Sequence, residues 1–471
     1  MEGWAGKSVV ILGLARQGTA LARFFVAQGA RVTVSDLQSA EELAAARQAL
    51  ADLPIDYVLG GHPESLLTGC DLLCLSGGVP TDLPIVRAAR ARGIPLSNDT
   101  QLTLERSPAP AIGVTGSAGK TTTTELVGRI LQASGRTAHV GGNIGTPLID
   151  RLDQVAASDW LVLEMSSFQL ELCTRSPRIA AVLNLTPNHL DRHPSLSHYA
   201  ASKANILRWQ RPGDVAVLGL DDATTGAWGR ERRVAIPAGL GQPALAFPLT
   251  AEVQGFGGAA EHAPAMGGAF VRAGWAIWRR ETEELPILPT AEIRLRGWHN
   301  VLNVLAACAL AGAAGATVEA MAEVVRAFRG VEHRLEMVRT YRGVQWVNDS
   351  IATTPERALA ALRAFDQPIV LLAGGRDKKL PWDELAQEIG RRVRWLFCFG
   401  EAGPMIAEVV RSRRTATQVQ VCANLAEAVA KAAAVARPGD VVLLAPGGTS
   451  FDAYRDFAAR GEHFRQLVRA L

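Results

Sequence analysis

The chain has 471 residues, enough for about three domains. Apolar residues make up 48% and charged residues 20%, a globular balance that excludes an intrinsically disordered chain. Lysine plus arginine totals 49 and aspartate plus glutamate 46, and a net charge of +3 argues against nucleic acid or a charged membrane surface as the partner.

In chain order, the first hundred residues repeat a strand–turn–helix rhythm. Residues 8–12 predict a strand, 13–18 a turn, 19–28 a helix, and 31–35 a second strand running into Asp36. Further strands are expected at 57–59, 72–75 and 94–96. Strands alternating with helices make a mostly parallel, doubly wound sheet. Ser107-Pro108-Ala109-Pro110 reads as a linker, so the first domain is expected to span 1–106.

A second α/β domain, 107–330, opens with a strand at 111–114 and continues with strands at 160–163, 180–185 and 215–218. Glycine and turn residues dominate from 245 to 290, which predicts a small antiparallel excursion at the domain edge. Helices at 300–312 and around 321–328 close this domain. The third domain, 331–471, has strands expected at 344–347, 369–372, 395–399 and 441–444, and an amphipathic helix at 461–471. The expected fold class is α/β throughout, three consecutive α/β domains with the antiparallel excursion in the central one.

No run of 18 apolar residues occurs, so no membrane span is expected; 304–318 is mostly alanine and glycine and reads as a packing helix. The apolar run after Lys7 stops at Arg16 and leads into a glycine turn, so a cytoplasmic protein is expected. Six scattered cysteines without a Cys-x-x-Cys pair read as reduced core residues.

The strongest local signal is Thr115-Gly116-Ser117-Ala118-Gly119-Lys120-Thr121-Thr122, between a strand and a helix. Such a turn directs backbone N–H groups at phosphate oxygens, with Lys120 reaching the outer phosphates and Thr121 placing a hydroxyl on Mg²⁺. ATP or a close relative is the ligand this predicts. Gly13-x-Ala15-x-x-Gly18, with Asp36 ending the next strand, resembles a dinucleotide fingerprint whose middle glycine is alanine. A nucleotide diphosphate, a nicotinamide dinucleotide and an empty tight turn all remain open for it. Glu164, at a strand end beside the phosphate loop, is a candidate Mg²⁺ partner, and His189 and Asp191 follow another strand.

These segments, with Gly141-Gly142-Asn143-Ile144-Gly145, Tyr199 to Lys203, His299-Asn300, His333-Arg334, Asn348-Asp349-Ser350 and Ser450 to Phe457, resemble the Mur ligases, ATP-dependent enzymes that build the peptidoglycan stem peptide. The resemblance runs in order through all three domains. It implies that UDP-N-acetylmuramoyl-L-alanine receives D-glutamate through an acyl phosphate, with ADP and phosphate released. Leu14, Ala15, Arg16, Gln17, Gly18, Asp36 and Ser76 would lie near uridine and pyrophosphate, and Asn143 and Ser166 along the channel to the alanyl carboxylate. ATP would sit on Thr115 to Thr122 and on Asn300, Arg334 and Asp349.

By the same resemblance, Thr121 and Glu164 would bind a first Mg²⁺, and His189 with a carbamylated Lys203 a second. Lys120, His189 and Lys203 would be the catalytic set. Thr353, Lys378, Ser450 and Phe457 would form the glutamate pocket. Ile351 stands where the family often has lysine, which leaves L-glutamate as the alternative, with Lys378 and Arg376 as replacement cations. A monomer is expected. A P-loop switch ATPase would leave Asn143, Ser166 and Lys203 without a role, and an NAD-linked oxidoreductase is disfavoured by Ala15.

Overall fold

The computed structural model describes residues 3–187, 192–258, 267–295, 297–378 and 380–471. They form two compact units, Met1–Phe328 and Arg329–Leu471.

The first unit opens with a five-stranded sheet of β1 (Ser8–Leu12), β2 (Arg31–Asp36), β3 (Ile55–Leu59), β4 (Leu72–Leu75) and β5 (Leu96–Ser97). Its order is β3-β2-β1-β4-β5 and every pairing is parallel. The order reverses between β1 and β4, the place where such sheets receive ligands. The helix Arg16–Ala27 starts three residues earlier than the expected 19, so Gly18 is helical and not part of the turn. A Cβ on Gly18 would stand 1.9 Å from the Gly13 carbonyl oxygen, so only glycine lets the helix start this close to the turn.

The same unit holds a nine-stranded sheet. Its strands are β6 (Ala111–Thr115), β7 (Ala138–Gly142), β8 (Trp160–Glu164), β9 (Ile179–Val182) and β10 (Val215–Gly219), followed, after the pair β11 (Arg233–Ile236) and β12 (Leu245–Pro248), by β13 (Glu252–Gly257), β14 (Gly268–Arg272), β15 (Trp275–Arg280) and β16 (Glu283–Pro289). Their order is β16-β15-β14-β13-β10-β9-β6-β8-β7. β6 lies inside the parallel part, flanked by β8 and β9, and all five of its residues are buried. The apolar runs 111–115, 160–164 and 179–182 suit strands covered on both faces.

The antiparallel excursion expected at 245–290 is present, as an extension of the central sheet at its edge. β11 and β12 pair antiparallel by themselves, β13 and β14 continue the parallel ladder, and only β14, β15 and β16 form an antiparallel meander at its edge. Glycine permits the junction: a Cβ on Gly268 would lie 1.9 Å from the Gly255 carbonyl oxygen. The packing helix runs Trp298–Ala313, with ten buried residues, and lies against the helix Lys120–Ala133.

The second unit carries β17 (Glu336–Tyr341), β18 (Val344–Asn348), β19 (Ile369–Gly374), β20 (Val393–Phe399), β21 (Gln418–Val421) and β22 (Val441–Gly447). The order is β17-β18-β22-β19-β20-β21, parallel except for β17. The ends of β18, β22 and β19 therefore lie side by side. The last helix, Phe457–Ala470, begins four residues before the expected 461.

Candidate active site

The site of the first unit is built at the ends of β6 and β8. Gly116 and Gly119 turn the chain between β6 and the helix Lys120–Ala133, with φ of 158° and 86°. Asn184, after β9, braces the loop by accepting the Ala118 N–H at 2.9 Å. Ser117 donates to the Thr186 carbonyl at 2.8 Å and receives the Tyr199 hydroxyl at 3.1 Å. Lys120 curls over its own loop, with Nζ 2.9 Å from the Gly116 carbonyl.

Glu164 ends β8 with 3% exposure. Thr121 donates its hydroxyl to Oε2 at 2.7 Å, and the Asn143 amide donates to Oε1 at 2.8 Å. Both partners are neutral, so this buried anion has no cation in hydrogen-bond contact among the described residues. Burying a charge is costly, and a divalent cation on hard oxygen donors would offset that cost. Among the described residues no three His, Cys, Asp or Glu side chains cluster, so such an ion would rely on Thr121, Glu164 and ligand oxygens. The residues present fit Mg²⁺.

Asn143 follows β7, a strand the sequence hides because it is short and ends in two glycines. A Cβ on Gly142 would sit 2.5 Å from the Glu164 carbonyl oxygen, and the Asn143 N–H reaches that same oxygen at 2.8 Å. Arg16, the first residue of its helix, donates to the Asn143 carbonyl at 2.8 Å, which joins the two sheets of the unit.

Lys203, on the helix Leu196–Arg208, is 1% exposed and donates to Thr115 Oγ1 at 3.2 Å and to the Gly116 carbonyl at 3.0 Å. Its Nζ stands 4.7 Å from the Tyr199 ring centroid. Burial holds its pKa well below the ordinary lysine value, the neighbouring Lys120 lowers it further, and Glu164 opposes the shift. His189 and Asp191 lie outside the described residues.

At the first sheet, Asp36 accepts the Leu14 N–H at 2.7 Å and the Gln38 N–H at 2.9 Å, closing the glycine turn. The Leu14 side chain is core, 1% exposed. Ala15 precedes the helix as its N-cap, and Gln17 accepts the Gly77 N–H at 2.7 Å, pinning the loop that begins with buried Ser76. Ser166 caps the helix Ser167–Leu170.

Asn300 lies in the first turn of the helix Trp298–Ala313 and accepts from Asn303 at 3.1 Å. Asn303 escaped the sequence reading, although its three-residue spacing from Asn300 places both on one helix face.

In the second unit, buried Asp349 accepts the Leu335 N–H at 3.0 Å, and Arg334 lies within the same turn. Burial pushes the Asp349 carboxyl up to about 6, against the Leu335 hydrogen bond and the charges of Arg334 and Arg357. Thr353 follows β18, Lys378 follows β19, and Ser450 follows β22, while Phe457 opens the last helix. Arg460, fully buried and missed by the sequence reading, ties these ends together. It donates to Ser350 Oγ at 3.0 Å and to the carbonyls of Gly448 and Thr449 at 3.2 and 3.1 Å. The Ser350 hydroxyl in turn reaches the Phe457 carbonyl at 2.7 Å. Arg376 does not supply the spare cation expected of it, because Glu401 engages it through two hydrogen bonds of 2.8 and 2.9 Å. Lys378 is exposed.

Three family descriptions match along the chain: the Mur ligase MurD-like N-terminal domain over 7–98, the Mur ligase middle domain over 114–311, and the Mur ligase glutamate ligase domain over 333–448. The UDP-N-acetylmuramoylalanine--D-glutamate ligase of Symbiobacterium thermophilum is 46% identical over 98% of this chain and 97% of its own. The protein of the same name from Koribacter versatilis is 39% identical over 99% and 98%. The solved UDP-N-acetylmuramate-alanine ligase MurC of Thermotoga maritima shares the fold, with a TM-score of 0.54 at 20% identity over 98% of this chain and 99% of its own. On this full-length similarity, the chain belongs to the Mur ligase family.

Proposed function

We propose that this chain joins D-glutamate to UDP-N-acetylmuramoyl-L-alanine at the expense of ATP, as a cytoplasmic monomer. The chain is a ligase of peptidoglycan synthesis, as the names of its full-length relatives have it. The observation that carries the reading is the setting of Glu164, between the Thr121 hydroxyl on the phosphate-loop side and the Asn143 amide on the side reached by Arg16.

In this reading residues 1–106 hold the UDP moiety through Arg16, Gln17, Asp36 and Ser76. Residues 107–330 hold ATP on the loop Thr115 to Thr122, and residues 331–471 bring in glutamate near Thr353, Lys378, Ser450 and Phe457. Asn300, Arg334 and Asp349 serve the nucleoside. Thr121 and Glu164 would hold one Mg²⁺, and His189 with the Lys203 carbamate a second. Bound there, the metal supplies charge neutralisation on the phosphates.

The alanyl carboxylate attacks the γ-phosphorus, and the bond from that phosphorus to the ADP oxygen breaks. Lys120 and the loop N–H groups stabilise the charge that gathers on the transferred group. The glutamate amine then attacks the acyl carbon, the ammonium proton is lost to a base, and phosphate leaves. Asn143 and Ser166 orient the carboxylate for the first attack, the positioning that makes the transfer effectively unimolecular.

Lys203 supports the carbamate part of this reading. Burial disfavours the charged form of this amine, and the neutral amine is the form that adds CO₂. The product is an anion with hard oxygen donors. Turnover with ATP and UDP-N-acetylmuramoyl-alanine, with hydroxylamine in place of glutamate, tests the acyl phosphate. The alanyl hydroxamate is the expected product, and ADP release without it would contradict the mechanism.

A further inference from the structure

Asp99 takes no part in the chemistry above, yet it is a carboxylate only 2% exposed, in the first turn of the helix Asp99–Arg106. Gln169, wholly buried, points Nε2 at both Asp99 oxygens, at 3.4 and 3.5 Å. Its other amide atom, Oε1, accepts the Ser166 N–H at 3.0 Å and the Ser166 hydroxyl at 3.0 Å. The Gln169 N–H returns to Ser166 Oγ at 3.2 Å. Asn98 adds a third hydrogen bond between the two helices, donating to the Gln169 carbonyl at 2.8 Å.

A primary amide fits its pocket in either of two senses, and only its partners decide between them. An ionised carboxylate accepts and cannot donate, so it demands the NH₂ end. The opposite sense would set an NH₂ against the Ser166 N–H and release the Ser166 hydroxyl proton. Burial raises the Asp99 carboxyl to about 6, and the Gln169 hydrogen bond, the Thr100 N–H and the Arg16 charge oppose that rise, so the group is mainly ionised above neutral pH.

We propose that Asp99 is a positioning residue that fixes the amide sense of Gln169 and, through it, the direction of the Ser166 hydroxyl in the substrate channel. The inference rests on the reading that Ser166 faces the muramoyl-alanine end of the UDP substrate.

The test is a reciprocal exchange, read as separate KM values for UDP-N-acetylmuramoyl-alanine and for ATP. Gln169→Glu sets two carboxylates face to face and should raise the first KM at least about tenfold, leaving the second within about twofold. Asp99→Asn removes the bias and should raise the first KM about threefold. The double variant should return to within about twofold of the parent: the new amide at 99 donates, and the new carboxylate at 169 still offers an oxygen to Ser166.

Absence of rescue, or equal movement of both KM values, overturns the proposal in favour of plain packing. Should Gln169→Glu fail to fold, Asp99→Asn in a Ser166→Ala background decides: no further effect supports the relay, and an additive effect overturns it. Ser166→Ala alone separates the two readings. If it leaves the UDP-substrate KM unchanged, the placement of Ser166 fails and the relay with it. If it raises that KM while the exchange gives no rescue, only the Asp99 relay fails.

Discussion

Asn303 Oδ1 stands where a side chain on Gly119 would have to go: a Cβ there would lie 2.1 Å from that oxygen. Gly119 is also left-handed, with φ of 86°. The phosphate loop therefore keeps its shape only while residue 119 lacks a side chain and the helix Trp298–Ala313 holds Asn303 against it.

Gly119→Ala should reduce ATP turnover at least about tenfold, from backbone strain of roughly 1–3 kcal/mol plus a displaced Asn303. Gly135→Ala is the control, since it has a similar φ of 74° and open space around its Cα. It should lose stability without losing turnover. Equal turnover in the two variants would show that contact with Asn303 is not needed.

Lys203 offers a second check. Lys203→Ala should lose nearly all turnover, and added short carboxylates such as formate or acetate should restore part of it if an anion is the working form. Removing CO₂ from the buffers should slow the parent enzyme and leave the variant unaffected. Full activity in Lys203→Ala would contradict both the carbamate and its metal.

Asp349 links stability to pH. Its folded pKa, about 6, lies above the ordinary aspartate value of about 3.9, so the folded state holds the proton to higher pH than the unfolded state does. Stability from this group is greatest below about pH 4 and falls as pH rises to about 6, at a total cost on the order of 3 kcal/mol. Asp349→Asn should therefore stabilise the second unit in denaturant at pH 7.5 more than at pH 4.5. A gain of the same size at both pH values would mean that the carboxyl is not shifted.

Much of this was legible in the sequence. The apolar runs of β1, β4 and β6 are short and bounded by glycine or a linker, so their periodicity marked them plainly. β7, β17 and β21 escaped because they are short or only half buried, so no apolar run marks them out. The start of the helix at Arg16 was hidden because Gly18 reads as a turn residue when its reason is close packing on Gly13. The phosphate loop and Glu164 were visible as local strings. The role of Arg460 was not, since its partners Ser350, Gly448 and Thr449 come from two other strand ends. Nor did the local sequence foretell that Glu401 would engage Arg376.

Division of labour between the sheets gives a further prediction. Lys120→Ala should abolish ADP formation and leave UDP-N-acetylmuramoyl-alanine binding, measured by calorimetry without ATP, within about twofold. Loss of both together would mean that the two substrates share more of the site than the geometry of Arg16, Asn143 and Glu164 implies.

ADP release with UDP-N-acetylmuramoyl-L-alanine and ATP, with D- or L-glutamate in separate reactions, tests the proposed reaction. Turnover with D-glutamate and none with L-glutamate is the predicted result. Turnover with L-glutamate alone would leave the fold and nucleotide chemistry intact and contradict the substrate, and no turnover with either would contradict the account.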